Sequence, residues 1–329
     1  MSDSLPAARI DIAARGADML AAALGAEIRL WLEAPDTLEI LANPDGWVFL
    51  EREGLGRART QLRLPPSGAE RIIRLAAGLC PAPQAGGGLI VTAELPPHGD
   101  RFEGLLPPIV RAPCFAIRRP TRSRPSLEDY VRAGILSPAQ ASQLRAAIAG
   151  RANILIAGGA GSGKTTLANA LLAEMARRSE RIVVLEDTRE LGCDAEDIVH
   201  LRTLPGQVSL NDLVRSTLRL RPDRIIVGEV RGGEALELLK AWNTGHPGGL
   251  ATLHANSAEA ALSRLEQLTL EVASTPPTRL IEETIDLVTF IERGGPGGRI
   301  VSQILAPSRR QSTRSAGSTR SSLTQGRHP

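Results

Sequence analysis

The segment Gly158-Gly159-Ala160-Gly161-Ser162-Gly163-Lys164-Thr165 fills the pattern G-x-x-x-x-G-K-[ST] at every position, and its flanks leave little freedom in how it can fold. Upstream, residues 153–157 (Asn-Ile-Leu-Ile-Ala) form an apolar, β-branched run that reads as a buried parallel strand. Downstream, residues 166–176 carry apolar side chains at helical spacing with good helix formers between them. Strand, glycine-rich turn and helix together predict a phosphate cradle. The glycines let backbone N–H groups converge on one concavity, and the helix N-terminus adds partial positive charge. Lys164 is placed to reach β- and γ-phosphates, the Thr165 hydroxyl to ligate Mg²⁺, and Thr166 follows in the same turn.

Composition bounds the alternatives. Of 39 basic residues only Lys164 and Lys240 are lysines, which leaves 37 arginines. A lysine kept in the loop of so arginine-biased a chain indicates shape selection, because a compact ammonium fits where a planar guanidinium would not. Hydrophobic residues make up 42% of the chain and aromatics 2%, so aliphatic side chains must form the cores. The same scarcity argues against a channel that stacks single-stranded bases. The formal net charge is +3, but residues 306–329 hold five arginines (Arg309, Arg310, Arg314, Arg320, Arg327) and no acid, so the rest of the chain sums to −2. The basicity belongs to a tail too poor in apolar residues to fold, and direct DNA binding is not expected. Cys80, Cys114 and Cys193 are widely spaced, suit a reducing cytosol and give no metal-ligand spacing. No signal peptide or membrane span is expected.

Residues 1–119 read as a small α+β domain. Helical periodicity covers 15–30, and strands at 37–41 and 47–51 flank the turn Asn43-Pro44-Asp45-Gly46. Ser67 is the expected cap of a helix through 71–79. Strands at 89–95 and 114–118 surround a loop expected to be exposed and to carry Arg101. Residues 120–136, beginning with a polar, proline-bearing stretch, read as a linker. Ser137-Pro138-Ala139-Gln140 is a capping box that opens a helix, after which β and α signals alternate through 305. The pair 287–291 and 299–305 is expected to be an antiparallel hairpin at the sheet edge.

Three later segments carry further chemistry. In 182–191 an apolar strand runs into Glu186 and Asp187, which places acids at the C-terminal edge of the sheet, where ligands of α/β folds sit. In 221–231 a second strand ends at Gly228-Glu229, with Arg231 beyond it. Glutamate in this place suggests a residue that orients or deprotonates an attacking water. In 244–257, His246 and His254 flank a third short strand at 250–253. Histidine at such a strand end is placed to sense a γ-phosphate.

In that order, the phosphate loop, the acidic segment 185–191, the glutamate-ended strand 225–229 and the histidine segment 245–257 resemble the motifs of the type II/IV secretion (traffic) ATPases. Residues 41–46, 99–108 and 115–120 resemble the conjugal-transfer branch of that family, which serves type IV secretion. The branch with a four-cysteine zinc site fits less well. The resemblance implies an α/β fold: a RecA-like P-loop core at 137–305, a smaller α+β N-terminal domain at 1–119, a linker at 120–136 and a basic tail at 306–329. It also implies ATP and Mg²⁺ as ligands, a homo-hexameric ring, and inner-membrane components of a conjugation or type IV secretion machine as partners. The chain would be cytoplasmic, with peripheral membrane association. Nucleotide would lie between the two domains, so Arg101 and Arg119 become candidates to contact phosphate. Lys164 and Thr165 would hold phosphate and metal; Glu229 would join Thr165 and Glu186 at the metal and prepare the water, with Arg231 beside it. Glu186 would support metal or water, His254 would read the γ-phosphate, and His246 would join the nucleotide site. The alternatives are a motor stimulated by nucleic acid and a type II secretion or pilus ATPase.

Overall fold

The computed structural model describes residues 5–79, 85–119 and 125–307. Residues 120–124 of the expected linker, Cys80 and the tail beyond 307 lie outside them.

The first unit begins with helix α1 (Leu5–Glu33), which kinks where Gly25 takes φ 76°. Strands β1 (Thr37–Ala42) and β2 (Trp47–Arg52) form the expected hairpin, extended by β3 (Gly56–Arg63). Helix α2 (Pro66–Gly78) follows, then β4 (Ile90–Leu95), β5 (Asp100–Leu105) and β6 (Cys114–Arg118). These six strands make one antiparallel sheet in the order β3-β2-β1-β6-β5-β4. Ile28 of α1, Ile72 and Ile73 of α2, and Ile40, Phe102 and Ile117 of the sheet are essentially solvent-free, so the two helices bury one sheet face.

Three local expectations change. Residues around Arg101 are not a loop but β5, whose alternate residues Asp100 and Phe102 point inward. Strand β3 carries no hydrophobic run because it is the sheet edge that the helices leave largely uncovered, unlike β4 under α2 at the other edge, and its arginines discourage pairing with other chains. Ser67 is not the helix cap. Pro66 occupies the first helical position, where its missing N–H costs nothing, and Pro65 precedes it.

The second unit starts earlier than expected, within the presumed linker. Ser126 and Asp129 form a capping box that opens α3 (Leu127–Arg132), and Leu127 and Tyr130 are buried in the second core. The Ser137–Gln140 box opens α4 (Pro138–Ala149) as the sequence indicates. Then come β7 (Ile154–Gly158), α5 (Lys164–Ala176), β8 (Ile182–Glu186), β9 (Ile198–Arg202) and α6 (Leu210–Thr217). They are followed by β10 (Arg224–Val227), α7 (Glu234–Asn243), β11 (Leu250–His254), α8 (Ala258–Thr269) and α9 (Thr278–Thr284). The hairpin β12 (Leu287–Arg293) and β13 (Arg299–Leu305) closes the unit.

The seven strands lie in the order β13-β12-β7-β11-β10-β8-β9, all parallel except the edge strand β13. Both faces are covered. Leu155, Leu185, Ile225, Val227 and Leu253 point to α6–α9, while Ile154, Ile156, Val184 and Ile226 point to α3–α5. That double coverage is why these strands read as continuous apolar runs. Register then positions the chemistry. Gly158 pairs with His254, and Val227 pairs with both Leu185 and Ala251, so the strands deliver their C-terminal residues to one edge.

At the opposite edge a polar cluster fixes the strand starts. Asn153 is buried, and its Oδ1 accepts from the N–H groups of Gly248 and Gly249 at 2.9 and 3.0 Å. Arg224, fully buried, pairs with Glu180 and donates to the carbonyls of Gly248 and Ile148, both at 2.9 Å.

Candidate functional site

The glycine loop leaves β7 and enters α5 at Gly163, which caps the helix in the left-handed region. Lys164 is buried and curls back, its Nζ donating to the carbonyls of Gly158 at 3.0 Å and Gly159 at 2.9 Å. Nζ also lies 3.3 Å from Nδ1 of His254. His254 Nε2 in turn stands 3.0 Å from Glu229 Oε1, and the other Glu229 oxygen accepts from Arg231 Nη2 at 2.6 Å. Partial burial, reinforced by Lys164, holds the His254 pKa below its ordinary value against the opposing pull of Glu229. The tautomer that satisfies both neighbours carries its proton on Nε2 toward Glu229 and accepts from Lys164 at Nδ1. Burial also lowers the Lys164 pKa, and the Glu229 charge opposes that shift.

A second chain of contacts runs from the Thr165 hydroxyl, which donates to Glu190 Oε2 at 3.2 Å. The other Glu190 oxygen takes Arg101 Nη1 at 2.5 Å, a contact that spans the two units. Glu186, at the end of β8, is 5% exposed. Its Oε1 accepts from the N–H groups of Glu190 at 2.9 Å and Leu191 at 2.8 Å. Burial outweighs those bonds and pushes its pKa up to about 7. Its side chain lies across Gly228: a Cβ there would stand 3.0 Å from Glu186 Cγ, so the glycine before Glu229 makes room for the other acid. Asp187 lies 3.9 Å from Arg231 Nη1 and accepts from the Thr203 hydroxyl at 3.0 Å.

The structure thus gathers Lys164, Thr165, Glu186, Glu229, Arg231, His254 and Arg101 at one edge. Two expected residues are elsewhere. His246 precedes β11, in the loop tied to Asn153 and Arg224, so the length of a parallel strand separates it from His254. Residues eight apart across such a strand fall at opposite sheet edges. Arg119 does not face the loop either. Its guanidinium is 3% exposed, lies 3.7 Å from the Asp100 carboxylate and donates to the Ala34 carbonyl within the first unit. It follows the last residue of β6 on the inward-pointing phase of the alternation.

Glu190 was missed as a site residue, although its four-residue spacing from Glu186 was visible. Asn169 was missed as well. Its amide ties the acidic segment to α5, donating to the Glu190 carbonyl at 3.3 Å and accepting from Gly192 N–H at 2.8 Å. The space left between Arg101, Thr165, Glu186, Glu190 and Glu229 is about 40 Å³. That volume suits a single water or ion rather than a phosphate.

A parallel sheet with a phosphate loop and acids at its carboxyl edge defines a P-loop nucleotide-binding protein. Residues 101–327 match the family described as type II/IV secretion system protein. The conjugal transfer protein TrbB of Rhizobium radiobacter is 49% identical, over 84% of this chain and 86% of that protein. The probable TrbB of Sinorhizobium fredii is also 49% identical, over 86% of this chain and 87% of that one. The pilus retraction motor PilT shares the fold, with a TM-score of 0.63 and 20% identity over 86% of this chain and 82% of that chain. The chain belongs to the type II/IV secretion system protein family, the traffic ATPases, and its second unit is their RecA-like core. Among the described residues no helix is long and apolar enough to cross a membrane.

Proposed function

We propose that the chain is a Mg²⁺-dependent ATPase that energises a type IV secretion or conjugal-transfer apparatus. The observation that carries this reading is the continuous chain Lys164–His254–Glu229–Arg231 beside the phosphate loop, with Thr165 and Glu186 on its other side. The donor set fits magnesium. Among the described residues no three His, Cys, Asp or Glu side chains could hold a metal by themselves, and Mg²⁺ is commonly held by one or two carboxylates together with substrate phosphates. Thr165 Oγ1 with Glu186 or Glu190 would hold it, and the ion would neutralise charge on the β- and γ-phosphates.

On nucleotide entry Lys164 exchanges its carbonyl partners for phosphate oxygens. Glu229, freed from Arg231, holds the attacking water and takes its proton. The water oxygen bonds to the γ-phosphorus as the bond to the β–γ bridging oxygen breaks, which yields ADP and phosphate. Arg231, already beside the site, can pair with the charge that builds up on the transferring group. His254 links Glu229 to Lys164 and so couples the state of the γ-phosphate to the acid that prepares the water. Arg101 carries the event to the first unit, because the strand that bears it moves with its guanidinium.

The reading extends to a homo-hexameric ring in the cytoplasm, docked peripherally on inner-membrane components, which is what the resemblance to the conjugal-transfer branch implies; the relatives' names carry only conjugal transfer. Glu229→Gln should keep ATP-analogue binding and lose roughly 10²-fold or more of steady-state phosphate release, the usual contribution of a positioned base. Turnover at the wild-type rate would refute the assignment. Light scattering with nucleotide at micromolar protein should give six chain masses; a strict monomer would sink the motor.

A further inference from the structure

The hairpin β12–β13 brings two arginines against the loop from the side opposite His254. Gly161 and Gly163 take φ 66° and 101°. A Cβ on Gly161 would stand 2.8 Å from Arg293 Nη2, and one on Gly163 would stand 3.2 Å from Arg299 Nη1. Arg293 and Arg299 are also direct partners across the hairpin. Like charges placed opposite one another destabilise a strand pair. Among the described residues neither makes an ion pair that would offset the repulsion. The hairpin is not free to separate them. Val301 N–H donates to the Ile135 carbonyl at 2.8 Å, and Gln140 Nε2 donates to the Val301 carbonyl at 2.8 Å. Two cations, Arg293 exposed and Arg299 half-buried, thus flank a loop built to hold anions.

We propose that Arg293 and Arg299 form a second anion clamp for the α- and β-phosphates of the bound nucleotide. This rests on the nucleotide reading above and goes beyond it by assigning which end of the nucleotide meets the hairpin. Strands β11 and β12 flank β7 on opposite sides. The groups that read the γ-phosphate, His254 and Glu229, come from the β11 and β10 side. The hairpin therefore faces the end of the polyphosphate that ADP and ATP share.

Calorimetric titration of the full chain with ADP and with a non-hydrolysable ATP analogue tests the clamp. Arg293→Gln and Arg299→Gln should each weaken both ligands by the same factor, about tenfold, as expected for loss of a hydrogen bond to a charged group. The double variant should lose more and should show a shallower salt dependence. Without ligand the melting temperature of each variant should equal or exceed the wild type's, because a like-charge pair has been relieved. Wild-type affinity for ADP, a loss confined to the ATP analogue, or a fall in the ligand-free melting temperature would each overturn the clamp. A wild-type chain that binds neither nucleotide would overturn the parent reading, and the clamp with it.

Discussion

Replacing Glu186 by Gln should stabilise the nucleotide-free protein above neutral pH while impairing its function. In the native structure burial raises the carboxyl pKa from 4.5 to about 7. The unfolded chain loses that proton near its ordinary value, so between these two pH values the native state binds the extra proton. Stability contributed by this group is therefore present at and below about pH 4.5 and is lost as pH rises to about 7. The span corresponds to roughly 3 kcal/mol of penalty at pH 8. Glutamine is neutral throughout, and its carbonyl oxygen can still accept from the N–H groups of Glu190 and Leu191. Denaturant midpoints in EDTA should show Glu186→Gln more stable than wild type by roughly 1–3 kcal/mol at pH 8, with the difference closing toward pH 5. Thermal melts should move by a few degrees in the same direction. A difference independent of pH, or a variant less stable at pH 8, would refute the reasoning. Phosphate release by the same variant should fall on the proposed role of Glu186, which assigns its ionisable carboxyl to the metal or the water.

Arg101→Ala removes a partly exposed pair with Glu190, so its stability cost should stay at or below about 1 kcal/mol. The KM for ATP should nevertheless rise, since the first unit loses its reach to the site; unchanged steady-state kinetics would exclude that role. Arg224→Met removes the closest partner of Glu180, which keeps Arg151 and Arg178 at 3.7 and 3.8 Å, and a donor to two carbonyls, and should cost about 1–3 kcal/mol in denaturant unfolding. A loss below about 1 kcal/mol would show that the cluster relaxes around the gap. A double change with Glu180→Met should recover part of the loss.

Much of the fold was legible because its signals are local. The capping boxes at Ser137 and the apolar runs of β7, β8, β10 and β11 each announce themselves within a few residues. What escaped was decided by position in the whole sheet. Strand β3 lacks an apolar face because it lies at an edge that the helices leave largely uncovered, and β5 was hidden by Arg101, Glu103 and Gly104, which leave too little alternation to read. Helix α3 lay in a stretch dominated by proline and arginine, yet Leu127 and Tyr130 anchor it in the core.

The site divides along the same line. A parallel sheet sends every strand's C-terminal residue to one edge, so Lys164, Glu186, Glu229 and His254 could be gathered from sequence by that single rule. The same rule excludes His246, which precedes the start of β11. Glu190 offers only its four-residue spacing from Glu186, and Arg293 and Arg299 depend on the path of the hairpin, which no local pattern supplies. The partners of the site residues explain how the site can be stable without a ligand. Lys164 rests on two carbonyls, Thr165 on Glu190, Glu229 on Arg231 and His254, and Arg101 on Glu190. Each of these groups has a stand-in from the chain itself, and on the proposed reading binding exchanges one for another. Such exchange holds the net gain in binding energy down and spends much of it on moving the residues that carried the stand-ins. Among the described residues Arg293 and Arg299 have no ion-pair stand-in. At these two positions an incoming phosphate would meet charge that needs no partner removed, so they are where its first contacts would be strongest.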